Sequence, residues 1–431
     1  MPLKPDGTGR PPRGSPAWQL SCLGDRLARA GRYEAAIVAY RHALTQDPGR
    51  AEIHNSLGVA LHRTGAVEEA VAAYYRALEI DPVNVRAQSN LGAAHMDRNE
   101  TALAIAAYER ALSRSRYHPK IRTNLAFAQM LQGDLLAGWR NYESRWAAGA
   151  RVKGRTFPTP AWLGGRSLAG RSILLGSEQG LGDMMQFARF VPEVVRLGAR
   201  VHLEAEPGLR RLFASSFPEV IVSTVGEAVA AVDEHCTVPS LPLAFGTGLD
   251  SIPARVPYLR SLGRTPARWP ELGPPSGRPR IGLAWSGFPG HHNDRNRSIP
   301  FARFAALLSG LDFRWVSLQK EVRENDAAAL AGLPAVANLS ARIGDFADTA
   351  ALAEEVDLVI AVDTSIAHLA GAMGKPVWVL LPFAPDWRWL LGRSDSPWYP
   401  TMRLFRQPKP GDWESVFAAV REQLAARFAV A

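Results

Sequence analysis

Gly24, Gly58 and Gly92 recur every 34 residues, each behind a leucine (Leu23, Leu57, Leu91), and nothing else in the chain restricts its folding as strongly. The same offset links Ala36, Ala70 and Ala104, then Tyr40, Tyr74 and Tyr108, then Ala43, Ala77 and Ala111. Small residues at fixed offsets let the two helices of a hairpin cross closely, and the tyrosine is expected to fill the gap against the next hairpin. One such unit cannot bury its apolar face alone, so the repeats must stack into a helical solenoid. Pro48 and Pro82 close the first two units at matching positions; the third has Arg116 there and delays its proline to Pro119. A fourth unit, from Ile121 to about Trp146, keeps Leu125 and Tyr142 in phase, has Gly138 in place of alanine and adds Trp139 and Trp146. It reads as a terminal repeat remodelled to dock onto the C-terminal part of the chain.

This is the tetratricopeptide pattern, and it occupies residues 17–146. Residues 147–171 are rich in Gly, Pro and Arg around Phe157, Pro158, Pro160 and Trp162, and are expected to form a partly ordered linker. Strand-length apolar runs come next at Ile173 to Gly176, Val201 to Glu204 and Val220 to Ser223, with another ending near Val238. They alternate with helical patterns at Asp183 to Leu197 and Pro207 to Phe213. After a connection loaded with Pro and Gly, Leu241 to Gly277, a second series has strands at Ile281 to Trp285, Trp315 to Leu318, Leu358 to Val362 and Val377 to Leu381. Its helices fall at Phe301 to Leu308 and Thr349 to Val356. Two such blocks, residues 172–262 and 263–431, predict two doubly wound Rossmann-like domains with a site in the cleft between them. The expected fold class is therefore α plus α/β, a helical solenoid followed by two Rossmann-like domains.

Composition permits this, since 431 residues at 47% hydrophobic and 21% charged hold material for several cores. The balance of 50 Lys+Arg against 41 Asp+Glu gives +9, without a run of five basic residues or a basic stripe interleaved with aromatics. Phosphorylated small molecules are thus better anionic partners than nucleic acid. Cys22 and Cys236 are the only cysteines, which excludes a disulfide framework and a cysteine-based zinc site and fits a reducing cytosol. Residues 1–16 are rich in Pro, Gly and Arg without the apolar core of a signal peptide, and no stretch offers about 18 uninterrupted apolar residues. A cytoplasmic protein with a loose leader and no membrane span is expected.

Two strand-to-helix turns carry the chemistry: Gly180-Leu181-Gly182-Asp183 after the run Ile173 to Leu175, and Asp363-Thr364-Ser365 with His368 after Leu358 to Val362. In an open α/β sheet such turns lie at the carboxyl ends of the strands, where helix N-terminal amides face anions. Together with Trp285-Ser286-Gly287, the loop Asn293 to Ser298, and Asp363 to Ala370 ahead of Gly374-Lys375-Pro376, they make the stretch from about Leu174 to Leu424 resemble the ADP-heptose:lipopolysaccharide heptosyltransferases. The resemblance implies a GT-B fold and an inverting transfer from a nucleotide-sugar donor, with no metal and no cofactor. The union with repeats, and the segment Phe383-Ala384-Pro385-Asp386-Trp387-Arg388-Trp389, is similar to a bacterial group of repeat-plus-glycosyltransferase proteins. Some of that group are linked to flagellin glycosylation with nonulosonic acids, which implies a protein acceptor held in the repeat groove.

By this resemblance Asp183 is the general base, although its position equally suits a helix cap. Gly180 and Gly182 permit a tight turn under either reading. Without a metal, fixed donors must neutralise the leaving phosphate, a role for Thr364, Ser365 and the amides after Asp363, with Gly182 and Ser286 alongside. Arg297 matches the family's basic loop residue, Arg295 is its neighbouring candidate, and Lys320 is a weaker one. His368 either touches donor phosphate or sugar, or makes a buried hydrogen bond. Asp386 with Trp387 and Trp389 either walls the base or acceptor or, with Trp398 and Tyr399, closes the core. The pair His291-His292 has no further ligand at metal spacing. Phe187 and Ala188 stand where heptosyltransferases tend to carry hydroxyls, which argues against a lipopolysaccharide acceptor. An inverting glycosyltransferase is the expectation; the competing readings are a repeat scaffold with a nucleotide-sensing or inert transferase domain, and a sugar-nucleotide epimerase.

Overall fold

The structure, a computed structural model, describes residues 14–150, 157, 161–178, 180–263, 269–274, 277–291 and 293–428. It divides into two compact units, Met1–Gly149 and Ala150–Ala431.

The first unit is a series of helical hairpins: α1 (Pro16–Arg29) with α2 (Tyr33–Gln46), α3 (Ala51–Thr64) with α4 (Val67–Ile80), α5 (Val85–Asp97) with α6 (Thr101–Arg114), and α7 (Pro119–Gln132) with α8 (Leu135–Tyr142) and the short α9 (Arg145–Ala148). The repeat residues explain the packing. A Cβ added at Gly24, Gly58 or Gly92 would lie 2.5, 2.6 or 2.7 Å from the ring of Tyr40, Tyr74 or Tyr108. Each tyrosine thus closes onto the glycine of its own hairpin, a tighter constraint than the expected gap between hairpins. Gly138 is needed for the same reason, because a Cβ there would meet Met130. Neighbouring repeats are joined by hydrogen bonds: Asn90 donates to Asn55 at 2.9 Å, and His62 meets Asp97 at 2.7 Å. Of the expected leader, residues 1–13 lie outside the described residues, and Pro16 already opens α1 behind the capping hydroxyl of Ser15.

The second unit holds two sheets. The first half runs β1 (Ser172–Gly176), α10 (Leu181–Phe187), α11 (Val191–Arg196), β2 (Arg200–Ala205), α12 (Arg210–Ser216), β3 (Ile221–Thr224), β4 (Glu234–Thr237) and α13 (Leu241–Ala244). Its strands are all parallel, in the order β3-β2-β1-β4. The expected linker is part of this half from Ala161 onward: Trp162 is buried, donates its indole N–H to Arg166 O at 3.0 Å, and donates its amide to His235 O at 2.7 Å. Pro158 and Pro160 lie outside the described residues, whereas Phe157 stacks on His235 with ring centroids 4.1 Å apart.

The second half runs β5 (Arg280–Ala284), α14 (Asp294–Arg297), α15 (Phe301–Phe304), β6 (Arg314–Ser317), α16 (Glu324–Ala331), β7 (Val336–Asn338), α17 (Phe346–Glu354), β8 (Leu358–Val362), α18 (Ser365–Ala372), β9 (Val377–Leu381), β10 (Met402–Arg406) and α19 (Trp413–Phe428). The six parallel strands are ordered β10-β9-β8-β5-β6-β7, the doubly wound arrangement. Strands buried on both faces need continuous apolar runs, and Leu358–Val362 and Val377–Leu381 are buried throughout. Trp285, Phe301 and Phe304 pack in one core with Trp413, Phe417 and Leu424 of α19. Among the described residues no helix is long and apolar enough to cross a membrane.

Candidate active site

In each sheet the strand order reverses beside the first strand, between β1 and β4 and between β5 and β8. Loops leaving neighbouring strands there diverge to opposite faces and open a crevice at their carboxyl ends. The two crevices meet in one cleft of about 780 Å³. From the first half it is lined by Gly180, Gly182, Asp183 and Glu206; from the second by Ser286, Gly287, Arg297, Lys320, Asp363, Thr364, Ser365, His368, Asp386 and Arg388. Arg295 is the expected site residue that does not reach it. Arg295 is exposed, because two residues along a helix turn the side chain roughly 200° away from the face that Arg297 presents.

Asp183 is the third residue of α10, whose N-cap is Gly180. Neither Gly180, at φ −64°, nor helical Gly182 needs the left-handed backbone of a tight turn. The demand on Gly182 is clearance: a Cβ there would come within 3.0 Å of the His368 ring on the opposite half. The Asp183 carboxylate reaches back to the Gly180 amide and also pairs with Arg388, so it caps its helix and faces the cleft at once. Burial pushes its pKa up, Asp386 and Glu178 add to the rise, and Arg388 opposes it.

The facing wall is fixed by a buried carboxylate. Asp326 of α16 accepts the Trp285 indole N–H at 2.9 Å and the Phe301 amide at 2.7 Å, which holds the chain on either side of the loop after β5. That loop puts the Ser286 hydroxyl on the cleft, buried and without a hydrogen-bond partner among the described residues. Arg297 donates to Asp363 O at 2.8 Å, while its Nε is buried with no hydrogen-bond partner among the described residues. It can lie there only because residue 287 is glycine, since a Cβ would sit 2.5 Å from Nη2. Lys320 donates to Gly344 O at 2.7 Å at the rim. Thr364 is the N-cap of α18, makes no side-chain cap bond and lines the cleft. Burial lifts the Asp363 carboxyl to about 6, Asp386 adding and Arg297 and Arg388 opposing.

His368 is buried, with Nδ1 2.9 Å from the Tyr399 hydroxyl and its ring stacked on Trp389 at 5.4 Å. Burial and three nearby arginines, Arg388, Arg189 and Arg297, push its pKa well down, so it faces the cleft as a neutral ring. Trp387, Trp389, Trp398 and Tyr399 are buried and close the core, whereas Asp386, just ahead of Trp387, lines the cleft. Phe187 is likewise core, stacked on Trp387 at 6.4 Å, which accounts for an aromatic at a position where heptosyltransferases tend to carry a hydroxyl. His291 lines the cleft, and its neighbour at 292 lies outside the described residues.

Sequence reasoning gave no role to Arg388, which it named only within the segment Phe383 to Trp389, and passed over Gln186 and Arg323. Arg388 contacts Asp183, Gln186 and Asp386; Arg323 donates to Gly287 O and to Asp294, both at 2.7 Å, and so ties the Ser286 loop to α14. The one sequence signal was the crowding of Arg388 between two tryptophans and an aspartate, which marks a charge buried with aromatics.

Comparison with known proteins agrees with this division of the chain. The tetratricopeptide repeat family matches residues 23–85 and 76–119, and glycosyltransferase family 9 (heptosyltransferase) matches residues 313–381. Protein FlbA of Caulobacter vibrioides is 29% identical over 317 residues, covering 67% of this chain and 52% of the relative, so the chain spans about half of that protein's length. Among solved structures, MamA aligns at 22% identity and TM-score 0.29 over 30% of this chain and 77% of its own. The second tetratricopeptide domain of human RPAP3 aligns at 21% identity and TM-score 0.26 over 26% and 94%. The chain thus carries tetratricopeptide repeats in its first unit and, within its second, a stretch that matches glycosyltransferase family 9.

Proposed function

We propose that the protein is an inverting, metal-independent glycosyltransferase that moves a sugar from a nucleotide-sugar donor to an acceptor hydroxyl, probed most directly at Asp183. The observation that carries this is a single cleft with a half-buried carboxylate on one wall and, on the other, an arginine, a serine hydroxyl without a hydrogen-bond partner among the described residues, and a helix N-terminus. Asp183 removes the proton from the acceptor hydroxyl, whose oxygen attacks the anomeric carbon as the nucleotide phosphate leaves on the opposite face. Burial raises the pKa of Asp183 above that of an exposed aspartate, which brings it closer to the match a general base needs. Arg297, Ser286, Thr364 and the α18 amides stabilise the charge that develops on the phosphate. Neutral His368 assists by contact with the donor rather than by charge. Tetratricopeptide grooves bind protein segments, which supports a protein acceptor; that this acceptor is of the flagellin type and is modified in the cytoplasm is part of the same proposal.

The test is thermal stability of the full chain against a panel of nucleotides and nucleotide sugars. A ligand at about a hundred times its Kd adds ~2.7 kcal/mol. A shift selective for one nucleotide sugar and lost in Arg297→Ala supports the reading. No shift with any of them, while protein partners still bind, replaces it with the scaffold.

A further inference from the structure

We propose that Arg388 is a positioning residue that reaches across the cleft and holds the carboxylate of Asp183 ionised and aimed. This rests on the reading of Asp183 as the base. Arg388 belongs to the loop after β9 in the second half, and its Nη2 pairs with Asp183 while its Nε bonds Gln186 Oε1, both on α10 of the first half. Its Nη1 donates to Asp386 at 2.7 Å. All three edges of the guanidinium are therefore engaged, which fixes its plane, and only 12% of the side chain is exposed. Gln186 is fully buried and one turn from Asp183, so both acceptors present the same face of α10 to the one cation.

The charges around Asp183 make that cation necessary. Asp386 approaches from the loop after β9 and Glu178 from the loop after β1, while Asp363 at the end of β8 and the neutral ring of His368 on α18 line the same cleft. Arg297 lies behind Asp363 and bonds its carbonyl. Beside Asp386 and Glu178, a largely enclosed Asp183 without Arg388 would hold its proton more tightly and be a poorer acceptor of one from an alcohol. A lysine would supply the charge but not the planar fork that meets Asp183, Asp386 and Gln186 together.

The experiment is a carboxyl titration of the full chain labelled with ¹³C at aspartate Cγ, the Asp183 signal being identified by its loss in Asp183→Asn. Arg388→Gln is expected to raise the Asp183 midpoint by about 1–3 pH units, and Arg388→Lys to raise it less. Asp386→Asn is expected to lower it, a sign that general loosening of the fold would not produce. An unchanged midpoint in Arg388→Gln overturns the proposal; should that variant fail to fold, an unchanged midpoint in Asp386→Asn does so. The titration needs no substrate, so its failure is distinguishable from failure of the donor reading, which shows as absent ligand-induced thermal shifts in the parent chain.

Discussion

At the scale of single residues, the site is built as much by missing atoms as by functional groups. Gly287 leaves the space in which the Arg297 guanidinium lies against Asp363 O. Gly287→Ala is therefore expected to displace Arg297 and weaken nucleotide-sugar binding by tenfold or more, the worth of about 1.5–3 kcal/mol for a charged hydrogen bond, measured by calorimetric titration. Asp363 gives a second prediction. Its carboxyl titrates at about 6 in the fold against 3.8 for a free side chain, so the folded state holds the proton more tightly. Stability from this group is present below the lower value and is lost as the pH rises through the higher one. Asp363→Asn should change stability little at pH 4 and raise it by on the order of 1–3 kcal/mol at pH 7.5, read from denaturant unfolding at both pH values. The residues that sequence motifs pointed to, Asp183, Arg297 and Thr364, do line the cleft. Arg388, although part of the segment that carries the resemblance, drew no role from the sequence because its partner Asp183 is 205 positions away, a separation over which local pattern says nothing.

At the scale of elements, legibility followed burial. β8 and β9 are five-residue apolar runs covered on both faces and stand out in the sequence. β7 is three residues long with only Val336 buried, and β10 interrupts its apolar residues with Arg403, so neither carries a run to detect. The repeats were legible because their phase is enforced sterically. Gly58→Ala should cost the first unit about 1–3 kcal/mol through collision with Tyr74, whereas Gly49→Ala, where the nearest atom would be 3.9 Å away, should not. Both are read as shifts in urea midpoint. The cleft has a polar clasp at its far end, where Arg211 of α12 reaches Asp345 and Asp348 at 3.1 Å. Asp345 also caps α17 through the amides of Ala347 and Asp348. Asp345→Ala is expected to cost about 0.5–2 kcal/mol, most of it as lost cap, since half of Arg211 is solvent-exposed and its ion pairs are screened.

At the scale of the whole molecule, the chain sets a repeat solenoid and a two-sheet cleft in two separate compact units. Strand alternation and the two strand-to-helix turns were enough to foresee the sheets and the cleft, because a doubly wound sheet has only one place where its loops part. What they could not supply is the charge balance inside the cleft, where Asp183, Asp363 and Asp386 share Arg388. That balance decides whether the cleft is a working active site. The direct test is donor turnover by the full chain, with the nucleotide sugar that gives the selective thermal shift and the parent compared with Asp183→Asn. Loss of a general base predicts that Asp183→Asn still binds the donor while nucleotide release in the presence of acceptor falls by about 10²–10⁴-fold. Equal release by parent and variant would contradict the assignment of Asp183 and, with it, the transfer mechanism.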